Sequence, residues 1–378
     1  MTDPQLVLSV STPEHDSLAA AAAALRRLAR RDDLKAAVLA TPGLYAILRQ
    51  AALRYVAGET RDDALAKARV LASLHGHDRG HRATIDFMGE DTRELTAARA
   101  ATDEFLALVD ALGPSQQASP LAHTSVSLDL SHIGLAVDGG GVKGEQVASE
   151  HLEAIVAAAA RVGREVVISM EASDRTDAIL AVHDRLATRH VNLGITVQAA
   201  LHRTPSDLDR LLARAHGGRI RLVKGAYLEP VERAVPRGDA LDARYLQLAQ
   251  RLLEAARDGQ RVSLATHHDT LLMALRDTVH VMGGPSGFAA DALQFEMLQG
   301  VTPTWLDDMA AAGFATRVYL VYGREWYLYL CHRLAEHPPS LFGALVDAVD
   351  ALPRRPDEPE TVRHAMLGSS ARPGRAST

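Results

Sequence analysis

The sequence predicts an α/β protein: a (βα)8 TIM-type barrel with a helical segment before it and a final helix over the barrel mouth. Two observations carry this. Short apolar β-prone runs alternate with helical patterns from Arg82 to Tyr322, eight in all, more than a doubly wound sheet usually has, and no GxGxxG turn follows an early strand. Polar side chains also gather at or just past the C-terminal ends of these runs, which a closed barrel brings to one mouth.

Residues 1–76 read as the N-terminal helical segment, because from Ser17 to His75 Ala, Leu and Arg recur at helical spacing without β-branched alternation. Residues 77–352 read as the barrel, with strands expected at Arg82–Met88, Thr124–Leu130, Glu165–Glu171, Leu193–Ala200, Arg219–Tyr227, Arg261–His267, Ala290–Leu298 and Thr316–Tyr322. Gly139-Gly140-Gly141 reads as a flexible loop. The polar residues assigned to the mouth are Glu90, Asp129, Glu171, Gln198, Lys224, Tyr227, His267, Glu296 and Tyr322. Residues 353–378, rich in Pro, Arg and Ser, are too polar to offset their ordering entropy and read as a mobile tail.

Composition narrows the function. A net charge of −6 and no basic, aromatic-studded stripe argue against nucleic acid. The start lacks a signal-peptide pattern and no apolar run is long enough to span a bilayer, so a cytoplasmic protein without a transmembrane segment is expected. The single cysteine, Cys331, excludes an internal disulfide and a thiolate cluster.

The chemistry centres on Arg221-Leu-Val-Lys-Gly-Ala-Tyr227, a buried strand ending in a lysine, a glycine and a phenol. Lys224 has three readings: a Schiff-base nucleophile, a cation for a cofactor phosphate or electron-rich ring, or a lysine paired with a carboxylate. Thr266, His267 and His268 close the sixth strand. Adjacent strand residues face opposite ways, so the two histidines do not suit one metal, and no metal site is expected. His75, His77, Asp78 and His81 read as a solvated loop. Tyr329, His332, Arg333 and Glu336 fall on one face of the last helix, placed to overhang the mouth.

Taken in order, RYVAGET at 54–60, TIDFMGED at 84–91, VSLDLSHIGL at 126–135, SMEASDRTD at 169–177, VQAALHRT at 197–204, RLVKGAYLEP at 221–230, ATHHD at 265–269, FEMLQG at 295–300 and VYLVYGREWYLYLCHRLAE at 318–336 resemble the proline dehydrogenase family. The resemblance implies a (βα)8 barrel with noncovalent FAD that takes a hydride from the carbon beside an amine nitrogen, then passes electrons to a quinone. It implies FAD held by Met170, Gln198, Arg221, Lys224, Gly225, Ala226, Thr266 and His267, with Arg221 near the reactive edge of the flavin. Glu90, Tyr227, Leu298, Tyr319 and Tyr329 become pocket residues.

The substrate positions depart from the family. A lysine is expected where Asp129 stands, an aspartate where Ser169 stands, and an arginine pair where His332-Arg333 stands. Counting Glu90 and a neutral His332, the pocket's formal charge moves from near +1 to near −1. Unit charges at about 4 Å interact by roughly 4 kcal/mol at an effective dielectric of about 20, so free proline is expected to bind poorly. The expected function is FAD-dependent oxidation of an amine (C–N or N–N) to an imine-type product, with Asp129, Ser169, His332 and Arg333 meeting the substrate and Arg221 serving the flavin. Alternatives are a genuine L-proline dehydrogenase, a Lys224 Schiff-base lyase and a noncatalytic ligand-binding barrel.

Overall fold

A computed structural model describes residues 13–29, 31–74, 80–115, 119–214, 218–301, 303–336 and 344. Eight parallel strands, β1 (Arg82–Phe87), β2 (Ser125–Leu128), β3 (Val166–Ile168), β4 (Leu193–Gln198), β5 (Ile220–Val223), β6 (Val262–Ala265), β7 (Leu293–Leu298) and β8 (Thr316–Tyr322), close in sequence order. The outer layer is α5 (Leu95–Leu112), α6 (Gly141–Arg161), α7 (Thr176–Ala187), α8 (Thr204–Ala213), α9 (Asp239–Arg257), α10 (Asp269–Val281) and α11 (Pro303–Ala311). Each expected strand is found, shortened mostly at its C-terminal end, where the polar residues leave the ladder. The glycine run is not only a loop: Gly139, Gly140 and Gly141 all have positive φ, and α6 starts at Gly141.

Strand alternation explains both surfaces of the sheet. Ile85, Val126, Leu128, Ile195, Leu222, Leu264, Phe295 and Leu320 are buried in the main hydrophobic core. The residues between them face the lumen, as bonds between strands that are not neighbours require: Arg221 of β5 reaches Ser127 of β2, and Thr84 of β1 donates to Glu296 of β7 at 3.0 Å. The lumen is therefore polar along its length. At its lower end Arg219 pairs with Glu165 and Asp291, and Arg317 donates to Ser125 at 2.8 Å.

Four helices precede the barrel: α1 (Pro13–Ala29), α2 (Asp32–Ala40), α3 (Pro42–Ala52) and α4 (Arg61–Ser73). Thr60 and Asp63 cap α4 reciprocally. α1 and α3 pack on the last helix, α12 (Trp326–Glu336), through a second core holding Ala52, Tyr55, Trp326 and Leu330. Glu59 is the polar pin of that contact, accepting from Trp326 Nε1 at 2.9 Å, Arg49 at 3.0 Å and Tyr45. The N-terminal helices thus fix the helix that crosses the mouth.

His81 is a correction to the solvated-loop reading. It is buried, with Nδ1 at 2.7 Å from Thr316 and Nε2 at 2.9 Å from Asp307, so it ties the start of β1 to β8 and α11. His75, His77 and Asp78 lie outside the described residues, as does the tail 353–378.

Candidate active site

The expected site residues fall into two arcs of the mouth. Met170, Gln198, Lys224, Gly225, Ala226, Thr266 and His267 follow or end the consecutive strands β3 to β6. Asp129 and Ser169, with Asp86 and Tyr319, belong to β8 and β1 to β3. Arg221 joins them from the middle of the lumen. Its guanidinium donates to Glu296 at 3.1 Å, Ser127 at 3.1 Å and Thr196 at 3.3 Å, and lies 4.9 Å from the centre of the Tyr319 ring. Burial opposes the charge on Glu296, but Arg221 above all holds its carboxyl below the usual range.

On the first arc the backbone is shaped for close approach. Gly225 has φ +115°, and a Cβ there would come within 2.9 Å of Gln198 Oε1 and 3.3 Å of the Ala200 Cβ. Gln198 is itself fixed by donating to the Glu171 carbonyl at 2.7 Å. His267 Nε2 accepts from the Leu298 N–H at 2.9 Å, which leaves the proton on Nδ1, and burial followed by nearby Arg333 pushes the imidazole down to about 4. A neutral donor, a buried hydroxyl at Thr266 and a bare backbone at Gly225 fit a polar planar cofactor with phosphates. Lys224 turns instead to α9, where its ammonium pairs with Asp242. A Schiff-base lysine needs an apolar site without such a carboxylate.

The second arc is acidic. Tyr319 donates to Asp86 at 2.7 Å and lies 3.4 Å from the Ser169 hydroxyl, which is 3.3 Å from Ser127. Burial, and then the charges of Asp86 and Glu171, push the Asp129 carboxyl well up. Burial pushes Asp86 up to about 6 despite Tyr319 and Arg221. Glu171, by contrast, is compensated by Arg175 at 2.6 Å, and Glu296 by Arg221. Among the described residues neither Asp86 nor Asp129 forms an ion pair.

The last helix contributes unevenly. Arg333 stacks on Tyr329, with its guanidinium 5.0 Å from the ring centre, and pairs with Glu336 at 2.7 Å. Its Nε and the Tyr329 hydroxyl are buried without a partner among the described residues, as expected of groups that await a ligand. His332 is exposed. Glu90 is exposed and paired with Lys35 of α2 at 2.8 Å, a lysine that also holds Glu325 at 2.5 Å just before α12. Tyr227 is exposed at 45%, while Tyr322 points outward and donates to Glu104 on α5. Sequence reasoning missed Asp86, whose signal was its parity with Thr84 on β1.

Residues 71–338 match the family described as Proline dehydrogenase. The chain is 30% identical over 292 residues to Proline dehydrogenase 1 of Bacillus subtilis (strain 168), covering 77% of this chain and 88% of that protein. It is 31% identical over 297 residues to Proline dehydrogenase of Deinococcus radiodurans, covering 75% and 86%. Proline utilization A (PutA) from Bdellovibrio bacteriovorus shares the fold, with a TM-score of 0.65 and 18% identity over 91% of this chain. This chain spans 41% of that one. With a family match over residues 71–338 and relatives 30% and 31% identical over three quarters of its length, the chain belongs to the proline dehydrogenase family and is an FAD-dependent oxidoreductase acting on a C–N bond.

Proposed function

We propose that this enzyme oxidises a neutral or cationic amine other than free proline. The observation behind this is Asp129, half-buried at the end of β2 on the same arc as Asp86, where the family resemblance places a lysine that would attract a carboxylate. FAD, when bound, accepts the hydride from the carbon next to nitrogen. Gln198, Thr266, His267, Met170, Arg221 and the backbone of Gly225 and Ala226 would hold it, while Lys224 is drawn to Asp242 on α9. Asp129 receives the amine, Ser169 a polar substituent, and Arg333 a distal acid group. His332, at the exposed edge of α12, modulates local charge.

Anaerobic bleaching of the flavin across a panel of cyclic and acyclic amines tests this. Rapid bleaching by L-proline at about millimolar concentration or below would sink it, since free amino-acid carboxylates should meet repulsion of several kcal/mol. The triple exchange Asp129→Lys, Ser169→Asp and His332→Arg should raise proline activity. A second reading, L-proline dehydrogenase, is favoured by the names of the relatives and by Arg333, which alone could grip a carboxylate.

We further propose that electrons pass to a quinone from a cytoplasmic enzyme that visits the membrane surface. No helix among the described residues is long and apolar enough to cross a membrane. Turnover with a water-soluble quinone analogue, compared with oxygen alone, checks the acceptor.

A further inference from the structure

We infer that Asp86 joins Asp129 in a two-carboxylate subsite for the substrate's cationic nitrogen, which makes Asp86 a specificity-determining residue. This rests on the amine reading above and extends it to a second residue and a geometry. Asp86 sits at the same lumen-facing parity as Thr84, level with Ser127 of β2 and Val321 of β8. Its carboxylate accepts from Tyr319 at 2.7 Å, and Tyr319 lies 3.4 Å from Ser169, whose backbone N–H donates at 2.9 Å to the carbonyl of Leu128, the residue before Asp129. Two hydroxyls, those of Tyr319 and Ser169, therefore run from Asp86 to the strand end that carries Asp129.

The surrounding cations do not neutralise this pair. Arg221 is the nearest, yet its Nε is committed to Glu296 and its Nη1 to Ser127 and Thr196. Arg175 is committed to Glu171 and Asp91, Lys35 to Glu90 and Glu325, and Arg333 to Glu336. Each of those carboxylates is ion-paired, whereas among the described residues neither Asp86 nor Asp129 is, although the charge of Arg221 reaches Asp86. Two half-buried acids on one arc, flanked by hydroxyls that can rotate as donors or acceptors, are suited to an ammonium, which presents several N–H groups and one positive charge. A carboxylate placed there would face two acids of its own sign.

Pyrrolidine and cyclopentanecarboxylate, rings of one size bearing opposite charges, separate the possibilities when titrated calorimetrically into the flavin-loaded enzyme. Wild type should bind pyrrolidine about tenfold or more tightly than cyclopentanecarboxylate. Asp86→Asn and Asp129→Asn should each weaken pyrrolidine about tenfold while leaving cyclopentanecarboxylate unchanged or tighter. If Asp129→Asn weakens pyrrolidine and Asp86→Asn does not, the role of Asp86 is overturned and the amine reading stands. A wild type that prefers cyclopentanecarboxylate overturns both. Should Asp86→Asn fail to fold, Tyr319→Phe removes the donor that positions the same carboxylate. It should shift the pyrrolidine Kd by about threefold or more, and an unchanged Kd refutes the subsite.

Discussion

Asp86→Asn should make the protein more stable at neutral pH, although Asp86 is half-buried and accepts a hydrogen bond from Tyr319. The folded environment raises the Asp86 carboxyl from 3.8 to about 6, chiefly by burial. The folded state therefore binds the proton more tightly than the unfolded chain does, and stability falls as pH rises from about 4 through about 6. At about 1.4 kcal/mol per pH unit, the penalty at neutral pH is about 3 kcal/mol, and at about pH 4.5 it is about 1 kcal/mol. Asn keeps an acceptor for Tyr319 and abolishes the penalty. With an unfolding entropy of about 2.1 cal/mol/K per residue, the gain corresponds to about 4 °C in Tm at about pH 7.5 and about 1 °C at about pH 4.5.

Buried histidines act in the opposite direction. His267 and His132 are both pushed down to about 4 by burial, so the stability of their neutral forms is present above about 6.5 and lost as pH falls toward about 4. In the wild type the carboxylate and imidazole slopes partly cancel between about pH 4 and 6.5; Asp86→Asn removes one side and steepens the acid-side loss. Differential scanning calorimetry of both proteins across this range is the assay. A variant less stable than wild type at about pH 7.5 would refute the reasoning, because it would mean that the ionised carboxylate is a stabilising partner of Arg221.

Gly225→Ala should cost about 1–3 kcal/mol and lower flavin absorbance per protein, since φ +115° and the 2.9 Å approach to Gln198 leave no room for a methyl group. Wild-type Tm and flavin content together would count against a close-approach role. Arg221→Met should cost about 3–5 kcal/mol by stranding the buried Glu296, and adding Glu296→Gln should recover much of it, as thermal unfolding would report. Glu59→Ala should cost about 1–3 kcal/mol by leaving the Trp326 N–H buried without its acceptor. Faster limited proteolysis within α1–α3 should accompany that loss.

The barrel was legible because it depends on local alternation: each expected run contains its strand, and the shortened ends follow from polar residues that turn out of the ladder. Asp129, Ser169 and Arg221 were legible because they sit at strand ends or in a distinctive motif. What stayed hidden depends on partners remote in sequence. His81 is buried because Asp307 and Thr316, 226 and 235 residues away, receive it. Lys224 leaves the mouth because Asp242 on α9 draws its ammonium, and Tyr322 leaves it because Glu104 on α5 accepts its hydroxyl. Asp86 stood in a quoted motif beside Glu90, yet only β8 and β5 supply the Tyr319 and Arg221 that give it meaning.

The two arcs also bear on why an acidic mouth would persist. A pair of half-buried carboxylates that form no ion pair among the described residues is a standing cost of about 3 kcal/mol at Asp86 alone, and simple drift would be expected to relieve it with one Asn or Ser. On the proposal of an amine substrate, Ser169 is such a relief at one position, where the family resemblance implies an aspartate, and it leaves Asp129 as the acid on that side of the arc. On the same proposal, the acid of this arc stands at Asp129 rather than at Ser169, while the flavin-side residues match those that the family resemblance implies. A rearrangement of charge confined to one arc, with the other intact, is what a change of substrate under constant redox chemistry would produce. General decay would be expected to reach Gly225, Gln198 and Arg221 as well.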